Sequence, residues 1–143
     1  MTTIAACSIR RVMVADSQWS DGTQSGGCRK VFRIRGSLIG LCGDVAAGAL
    51  WRELYAKDEL APGHGDVAEV FALRLSNTGL FTWNSAEGWL RLAEKRWAIG
   101  TGEEYAIGAL MAGATPLRAV RIAITHDAGS GGKARTYRLN ARR

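Results

Sequence analysis

The amino-acid sequence predicts an α+β fold, a sandwich of antiparallel sheets, and three observations support this. Strand-like segments come first, the helical patterns are expected on the outside, and the strand–helix alternation of parallel sheets does not appear. At 143 residues, with 47% hydrophobic and 22% charged residues, the chain is long enough for one domain, residues 1–143, with a proper core.

Two hairpins are predicted to open the chain. Residues 3–9 and 12–16 are rich in small and β-branched side chains, and the short link between them indicates a tight turn. The segment SDGTQSGG, residues 20–27, is predicted to be a loop from its turn residues. The segment KVFRIRGSLIGLCGD follows as a second hairpin, with its turn at residues 35–37.

Strand alternation places two charged residues on apolar faces. Lys30 shares a face with Phe32, where an amine is costly unless it has a partner. The same counting puts Asp16 on the face of Val14. Each also has a purely structural interpretation, because a lysine stem can snorkel to a sheet edge and an aspartate at a strand end is usually a turn former.

The middle of the chain is predicted to hold one helix and then several strands. Residues 45–57 carry an apolar stripe at helical spacing. Short strands are expected at residues 70–75, 80–84, 89–93 and 96–99, separated by turn residues.

Two further helices are predicted near the carboxyl end. Thr101 and Glu104 match a capping box ahead of a helix to about Ala112. Thr115 followed by Pro116 is the favoured start of another helix. Asp127 continues the apolar stripe of that helix, so an acid ends an apolar face, and a final strand closes the chain.

Charge and composition weigh against several classes of protein. The net charge is +6, but no recognition helix or aromatic stacking motif accompanies the basic residues, so we expect no nucleic-acid partner. A solvated basic face or an acidic partner protein explains the charge. No apolar run of membrane-spanning length and no secretory signal pattern appear. The three cysteines lack CxxC spacing and are expected to be reduced thiols of a cytoplasmic protein.

Thr2 is the candidate nucleophile. A threonine hydroxyl needs an adjacent base, and an α-amino group, with an unperturbed pKa of about 8, is the base nearest to a residue's own side chain. After removal of Met1, Thr2 would carry both groups. A nearby lysine would lower the pKa of the amine, and acids would hold that lysine in place. Lys30, Asp16 and Asp127 are the candidates for these positions.

Six short motifs, in this order, resemble those of proteasome β subunits and bacterial HslV-type peptidases. They are MTTI at the start, VADSQ around Asp16, RKV around Lys30, IGLCGD around Gly40, AIGTG around Thr101 and HDAGSGG around Asp127. The resemblance covers nearly the whole chain. It implies a four-layer αββα sandwich of the N-terminal nucleophile hydrolase class that cleaves peptide bonds inside a ring-shaped homo-oligomer.

The resemblance also implies roles for individual residues. Thr2 would be the nucleophile, Lys30 its cationic neighbour and Asp16 the residue that orients Lys30. The Gly40 N–H would stabilise the oxyanion, while Asp127 and Ser130 would bond around the Thr2 amine and Thr101 would supply a hydroxyl. No cofactor is required. A structural monovalent or divalent cation would bind the backbone carbonyls of Ile124, Asp127 and Ser130.

The chain departs from this family in one region. Relatives carry two long helices after the IGLCGD region, but here only one fits, because residues 57–70 are interrupted by Pro62, Gly63 and Gly65. One helical layer is therefore expected to be reduced, which leaves ring size and any ATP-dependent unfoldase partner open. Two alternatives also stay open: a catalytically silent assembly protein, and a hydrolase of small amides.

Overall fold

The computed structural model describes residues 2–20 and 25–140, which form two main antiparallel sheets and a two-stranded ribbon. The strands are β1 (Thr3–Cys7), β2 (Val12–Ala15), β3 (Gln18–Ser20), β4 (Ser25–Gly27), β5 (Val31–Ile34), β6 (Ser37–Gly43), β7 (Val70–Ser76), β8 (Gly79–Asn84), β9 (Gly88–Arg91), β10 (Arg96–Gly100) and β11 (Arg135–Arg138). The helices are α1 (Val45–Ala56), α2 (Glu103–Met111) and α3 (Pro116–His126), with a 3-10 turn at Gly65–Val67.

The two main sheets have simple topologies. The first has the order β10-β1-β2-β11, and the second has the order β5-β6-β7-β8-β9. Strand β1 is central in the first sheet, where Ile4 pairs with Ile99 on one side and with Ala15 on the other. The ribbon joins β3 to β4.

Three apolar clusters show that the molecule has four layers. Side chains of both sheets, including Ile4, Met13 and Leu73, form the cluster between them. Alternate residues such as Ala5 and Val14 pack outward with residues of α2 and α3. Residues of α1 cover the other sheet. The predicted αββα sandwich is confirmed, with two helices on one face and a single full helix on the other.

Most predicted elements occur close to their expected positions. The Asp44 side chain caps α1 by accepting a hydrogen bond of 2.7 Å from the Ala47 N–H. The Thr115 hydroxyl caps α3 in the same way at the Arg118 N–H, with Pro116 in the first turn, as the sequence predicts.

None of the helices in the described ranges has the length and hydrophobicity to cross a bilayer.

Two predictions of local structure are wrong. Thr101 is not the N-cap of α2, because Gly102 takes that position without a side-chain hydrogen bond and the Thr101 hydroxyl donates to Asp127 instead. The region 20–27 is not simply a loop, since β4 pairs with β3 across it. Residues 21–24 lie outside the described part.

Two glycines let the chain pass close to β1. At Gly100, where φ is +106°, a Cβ would lie 2.0 Å from the Thr2 carbonyl oxygen. At Gly102 a Cβ would lie 2.0 Å from Thr3 Oγ1. The turn between β10 and α2 therefore packs directly on Thr2 and Thr3, which holds this end of β1 in place.

Replacing Gly102 by alanine is expected to destabilise the protein. The new Cβ would press on Thr3 Oγ1 and approach Ala123 Cβ to 3.0 Å, and such overpacking costs about 1–3 kcal/mol. Thermal unfolding at fixed protein concentration measures the effect, and the expected decrease in Tm is about 2–4 °C per kcal/mol.

Gly108 provides the matched control within α2. It is exposed, and a Cβ there meets nothing within 4 Å, so Gly108→Ala is expected to stabilise by roughly 0.5–1 kcal/mol through helix propensity. Equal Tm changes for the two variants would contradict the close approach at Gly102.

Candidate active site

The beginning of β1 is fixed by hydrogen bonds at Thr3. Its N–H donates to Asp16 Oδ1 at 2.9 Å, and its carbonyl accepts from the Asp16 N–H at 3.1 Å. Its hydroxyl lies 2.6 Å from Ser130 Oγ. Thr3 is fully buried and Thr2 is 4% exposed, so the backbone that carries the candidate nucleophile is firmly positioned.

Asp16 and Lys30 form a buried ion pair. Lys30 Nζ donates to Asp16 Oδ1 at 2.9 Å and to Oδ2 at 3.0 Å. Lys30 is 6% exposed and Asp16 is 1% exposed. The Gly131 N–H also donates to Asp16 Oδ2, at 3.0 Å. The carboxylate thus accepts hydrogen bonds from several donors, which offsets the cost of burying it.

The prediction that Lys30 is buried with a partner is confirmed. Lys30 precedes the first residue of β5, so the strand ladder does not by itself dictate where the side chain points. Its position follows from Asp16, which lies just past the end of β2. Since Asp16 Oδ1 binds both Lys30 Nζ and the Thr3 N–H, the ammonium lies next to the residue that follows Thr2.

A second hydrogen-bond network joins Thr2 to Asp127 and Ser130. The Thr2 N–H donates to Thr101 Oγ1 at 3.3 Å, and Thr101 Oγ1 donates to Asp127 Oδ2 at 2.7 Å. Ser130 Oγ donates to the same Asp127 oxygen at 2.6 Å. The Thr2 nitrogen therefore contacts Thr101 directly and is linked through it to Asp127 and Ser130.

Asp127 is the acceptor of this network. Partial burial alone would raise the pKa of its carboxyl group, but hydrogen bonds from the Ser130 and Thr101 hydroxyls and from the Gly129 backbone outweigh burial. The pKa of Asp127 is therefore lower than its ordinary value. The group is a carboxylate near neutral pH and can only accept hydrogen bonds there.

Gly40 lies in the interior of its sheet. It stands in β6, opposite Val31 of β5 and Leu73 of β7. A Cβ at this position would lie 2.7 Å from Ile4 Cγ2 and 3.1 Å from Met13 Sδ. The close approach of the two sheets is thus a sufficient reason for this glycine, and its role as oxyanion donor stays a prediction.

The predicted cation site also stays a prediction. Ile124 packs with the cluster beneath α2 and α3, and the Asp127 carbonyl accepts a hydrogen bond of 3.2 Å from the Ser130 N–H. Within residues 2–20 and 25–140, no group of three or more His, Cys, Asp or Glu side chains is placed to hold a metal.

A cavity of about 610 Å³ opens beside Thr2 and Lys30. Cys28 and Cys42 also line it. Burial, with a smaller contribution from the charge of Glu103, raises the pKa of the Cys42 thiol to about 12. Cys42 is therefore protonated at neutral pH and is not a competing nucleophile.

Sequence reasoning missed two parts of this site. Thr3 was not predicted as a site residue, although it connects Asp16 to Ser130. The one sequence signal for it was its position next to Thr2. The Gly131 N–H was missed because backbone donors leave no signal in residue type. Hydrogen bonds connect Thr2, Asp16, Lys30, Thr101, Asp127 and Ser130 into one site. The structure does not show the contacts assigned to Gly40 and Ile124, and the roles of all these residues stay predictions.

Comparison with solved structures gives the fold. The chain is similar to Thiobacillus denitrificans BPH in complex with epoxomicin, with 15% identity and a TM-score of 0.72 over 98% of this chain and 100% of that one. Another structure of Thiobacillus denitrificans BPH matches at 16% identity and a TM-score of 0.71, over 99% of both chains. Eukaryotic HslV from Trypanosoma brucei has 19% identity and a TM-score of 0.76, over 95% of this chain and 98% of the other.

No protein-family model matches this chain, and no curated protein sequence does. The structural similarity nevertheless extends over nearly the full length of this chain and of each compared chain. It confirms the fold that the six motifs imply: the chain has the fold of HslV.

Proposed function

We propose that this protein is a threonine peptidase that uses Thr2 as its nucleophile once Met1 has been removed. The observation that carries the proposal is the Asp16 carboxylate, which binds both the Lys30 ammonium and the Thr3 N–H on one oxygen. Lys30 and Thr2 also line the same cavity. Burying an ion pair rarely adds stability compared with apolar side chains of similar size, so its place beside a candidate nucleophile favours a catalytic purpose.

In the proposed reaction, Thr2 Oγ attacks the carbonyl carbon of a peptide bond while the Thr2 α-amine takes the hydroxyl proton. A C–O bond forms, and the C–N bond breaks as the leaving amine accepts that proton. Water activated by the α-amine then hydrolyses the ester and releases Thr2. The Lys30 ammonium favours the neutral form of the amine and stabilises negative charge on oxygen.

The Thr101 hydroxyl is proposed to orient the amine. It donates to Asp127, so its lone pairs face the Thr2 nitrogen. Asp127, held as a carboxylate, fixes the direction of that hydroxyl. Gly40 as oxyanion donor, and a cation on the carbonyls of Ile124, Asp127 and Ser130, belong to the same proposal and have no geometric support of their own.

The assembly is also part of the proposal. By analogy with HslV, we propose a homo-oligomeric ring in the cytoplasm that cleaves polypeptides inside its chamber. An ATP-dependent unfoldase is a candidate partner. The similarity to a protein solved with epoxomicin supports the use of an epoxyketone as a probe of Thr2.

The purified native protein is expected to react with epoxomicin once per chain, at Thr2. The reagent needs a hydroxyl and an unblocked amine on one residue, which Thr2 has only after loss of Met1. Intact mass spectrometry should show a chain without methionine that gains one inhibitor mass, and peptide mapping should place the adduct on Thr2.

Thr2→Ala and Thr2→Ser are the matched variants for this experiment. Alanine should abolish labelling and peptide cleavage, while serine keeps the hydroxyl and should keep both. An unlabelled native protein that retains Met1, or full cleavage by Thr2→Ala, would end the proposal and favour the catalytically silent assembly protein.

Thr101→Val is expected to lower kcat/KM about tenfold or more, because it removes a hydrogen bond to a charged group while keeping the shape of the side chain. Thr101→Ser keeps the hydroxyl and should retain most of the activity. Fluorogenic peptide hydrolysis measures both variants. Equal activity of the valine and serine variants would show that the hydroxyl does not orient the amine.

A further inference from the structure

Two arginines share one aromatic ring in the wall of the Thr2 cavity. The Arg52 guanidinium of α1 lies 4.0 Å from the centroid of the Phe32 ring, and the Arg29 guanidinium lies 5.4 Å from it. All three residues line the cavity that contains Thr2 and Lys30. Stacking on the ring therefore holds two planar cations close to the candidate nucleophile.

The two carboxylates in and beside this cavity each accept a hydrogen bond from a group other than these arginines. Asp44 is the acidic residue in its wall, and its carboxylate accepts the capping hydrogen bond from the Ala47 N–H. Asp16 is bound to Lys30. In the described parts of the chain, neither Arg29 nor Arg52 forms an ion pair with a carboxylate.

The N–H groups of the two arginines are also incompletely used. Arg29 Nε donates to the Val31 carbonyl at 2.7 Å. Arg52 is only partly buried, and among residues 2–20 and 25–140 its guanidinium has the Phe32 ring as its contact but no hydrogen-bond acceptor. Stacking satisfies the face of a guanidinium but leaves its in-plane N–H donors available.

We infer that Arg29 and Arg52 form a subsite that binds a carboxylate of the substrate. This inference rests on the proposed function. Both guanidinium groups lie within 5.4 Å of one ring centroid, so their positive charges repel each other, and an anion that contacts both offsets the repulsion. Guanidinium N–H groups match a carboxylate with two parallel hydrogen bonds, which gives direction as well as affinity. The substrate class is therefore a peptide that carries an acidic group near the bond to be cleaved.

The carboxylate can come from two sources. One is the side chain of a glutamate or aspartate within the peptide, and the other is the carboxyl terminus of the peptide. A cavity of about 610 Å³ has the size of a typical ligand site and accommodates either. The experiment separates them.

Binding to the Thr2→Ala protein tests the subsite without requiring any chemistry. Acetylated and amidated octapeptides, with one glutamate moved along the chain, are compared by calorimetry with twins that carry glutamine at the same position. A second pair differs only in a free or an amidated carboxyl terminus. At one position we expect the acidic peptide to bind about tenfold more tightly, as for a hydrogen bond between charged groups.

Variants assign the preference to the two arginines. In the Thr2→Ala protein, Arg52→Gln and Arg29→Gln should each reduce the preference for the acidic peptide. Arg52→Lys keeps the positive charge but loses the paired N–H donors of the guanidinium, so it should leave an intermediate preference. Arg121→Gln is the matched control, because Arg121 is exposed on α3, away from the cavity wall, and it should leave the preference intact.

The outcomes are distinct. Preference for internal glutamate, or for the free carboxyl terminus, supports the inference and identifies the source. Equal binding of acidic and neutral twins, no measurable binding of any peptide, or a preference that survives in the Arg29→Gln/Arg52→Gln protein overturns it. Epoxomicin labelling of native Thr2 tests the proposed peptidase, whereas peptide binding to the Thr2→Ala protein tests the subsite. The subsite can therefore fail while the peptidase proposal stands, and a failure to label would not alter the binding result.

Discussion

The Asp16 carboxylate is the interaction on which the candidate site depends. It accepts hydrogen bonds from the Thr3 N–H, the Lys30 ammonium and the Gly131 N–H, so one buried group ties together β1, the start of β5 and the segment after α3. Removing one partner of such a buried pair typically costs about 3–5 kcal/mol. The geometry of the candidate site and the local stability are therefore set by the same few hydrogen bonds.

The close contacts around β1 explain how this arrangement is kept rigid. Gly100 and Gly102 allow the turn before α2 to rest on the backbone of Thr2 and on the side chain of Thr3. That turn carries Thr101, whose hydroxyl reaches both the Thr2 nitrogen and Asp127. Because Gly100 and Gly102 have no side chains, the Thr101 hydroxyl comes within hydrogen-bond distance of the Thr2 nitrogen.

The single full helix on the second sheet also shapes the cavity. Helix α1 packs its Trp51 and Tyr55 on that sheet, while Arg52 turns toward Phe32 and the cavity. The face of α1 that is not used for the core thereby supplies a positive charge to the cavity wall. Fold and proposed specificity meet in this helix, because neighbouring residues on it serve different layers.

The sequence by itself determined most of the strands and the positions of α1 and α3, because hydrophobic periodicity and helix capping act over a few neighbouring residues. It placed Lys30 on an apolar face and marked Asp127 at the end of an apolar stripe. The resemblance in six motifs added Ser130. The ion pair that keeps Lys30 buried joins it to Asp16, which is 14 residues away in the chain. Only the tertiary structure decided that Thr101 bonds to Asp127 rather than capping α2, that Thr3 reaches Ser130, and that Arg29 and Arg52 share the Phe32 ring. Those contacts join residues distant in sequence or depend on side-chain direction, and no local pattern records which of several available partners a polar group will find.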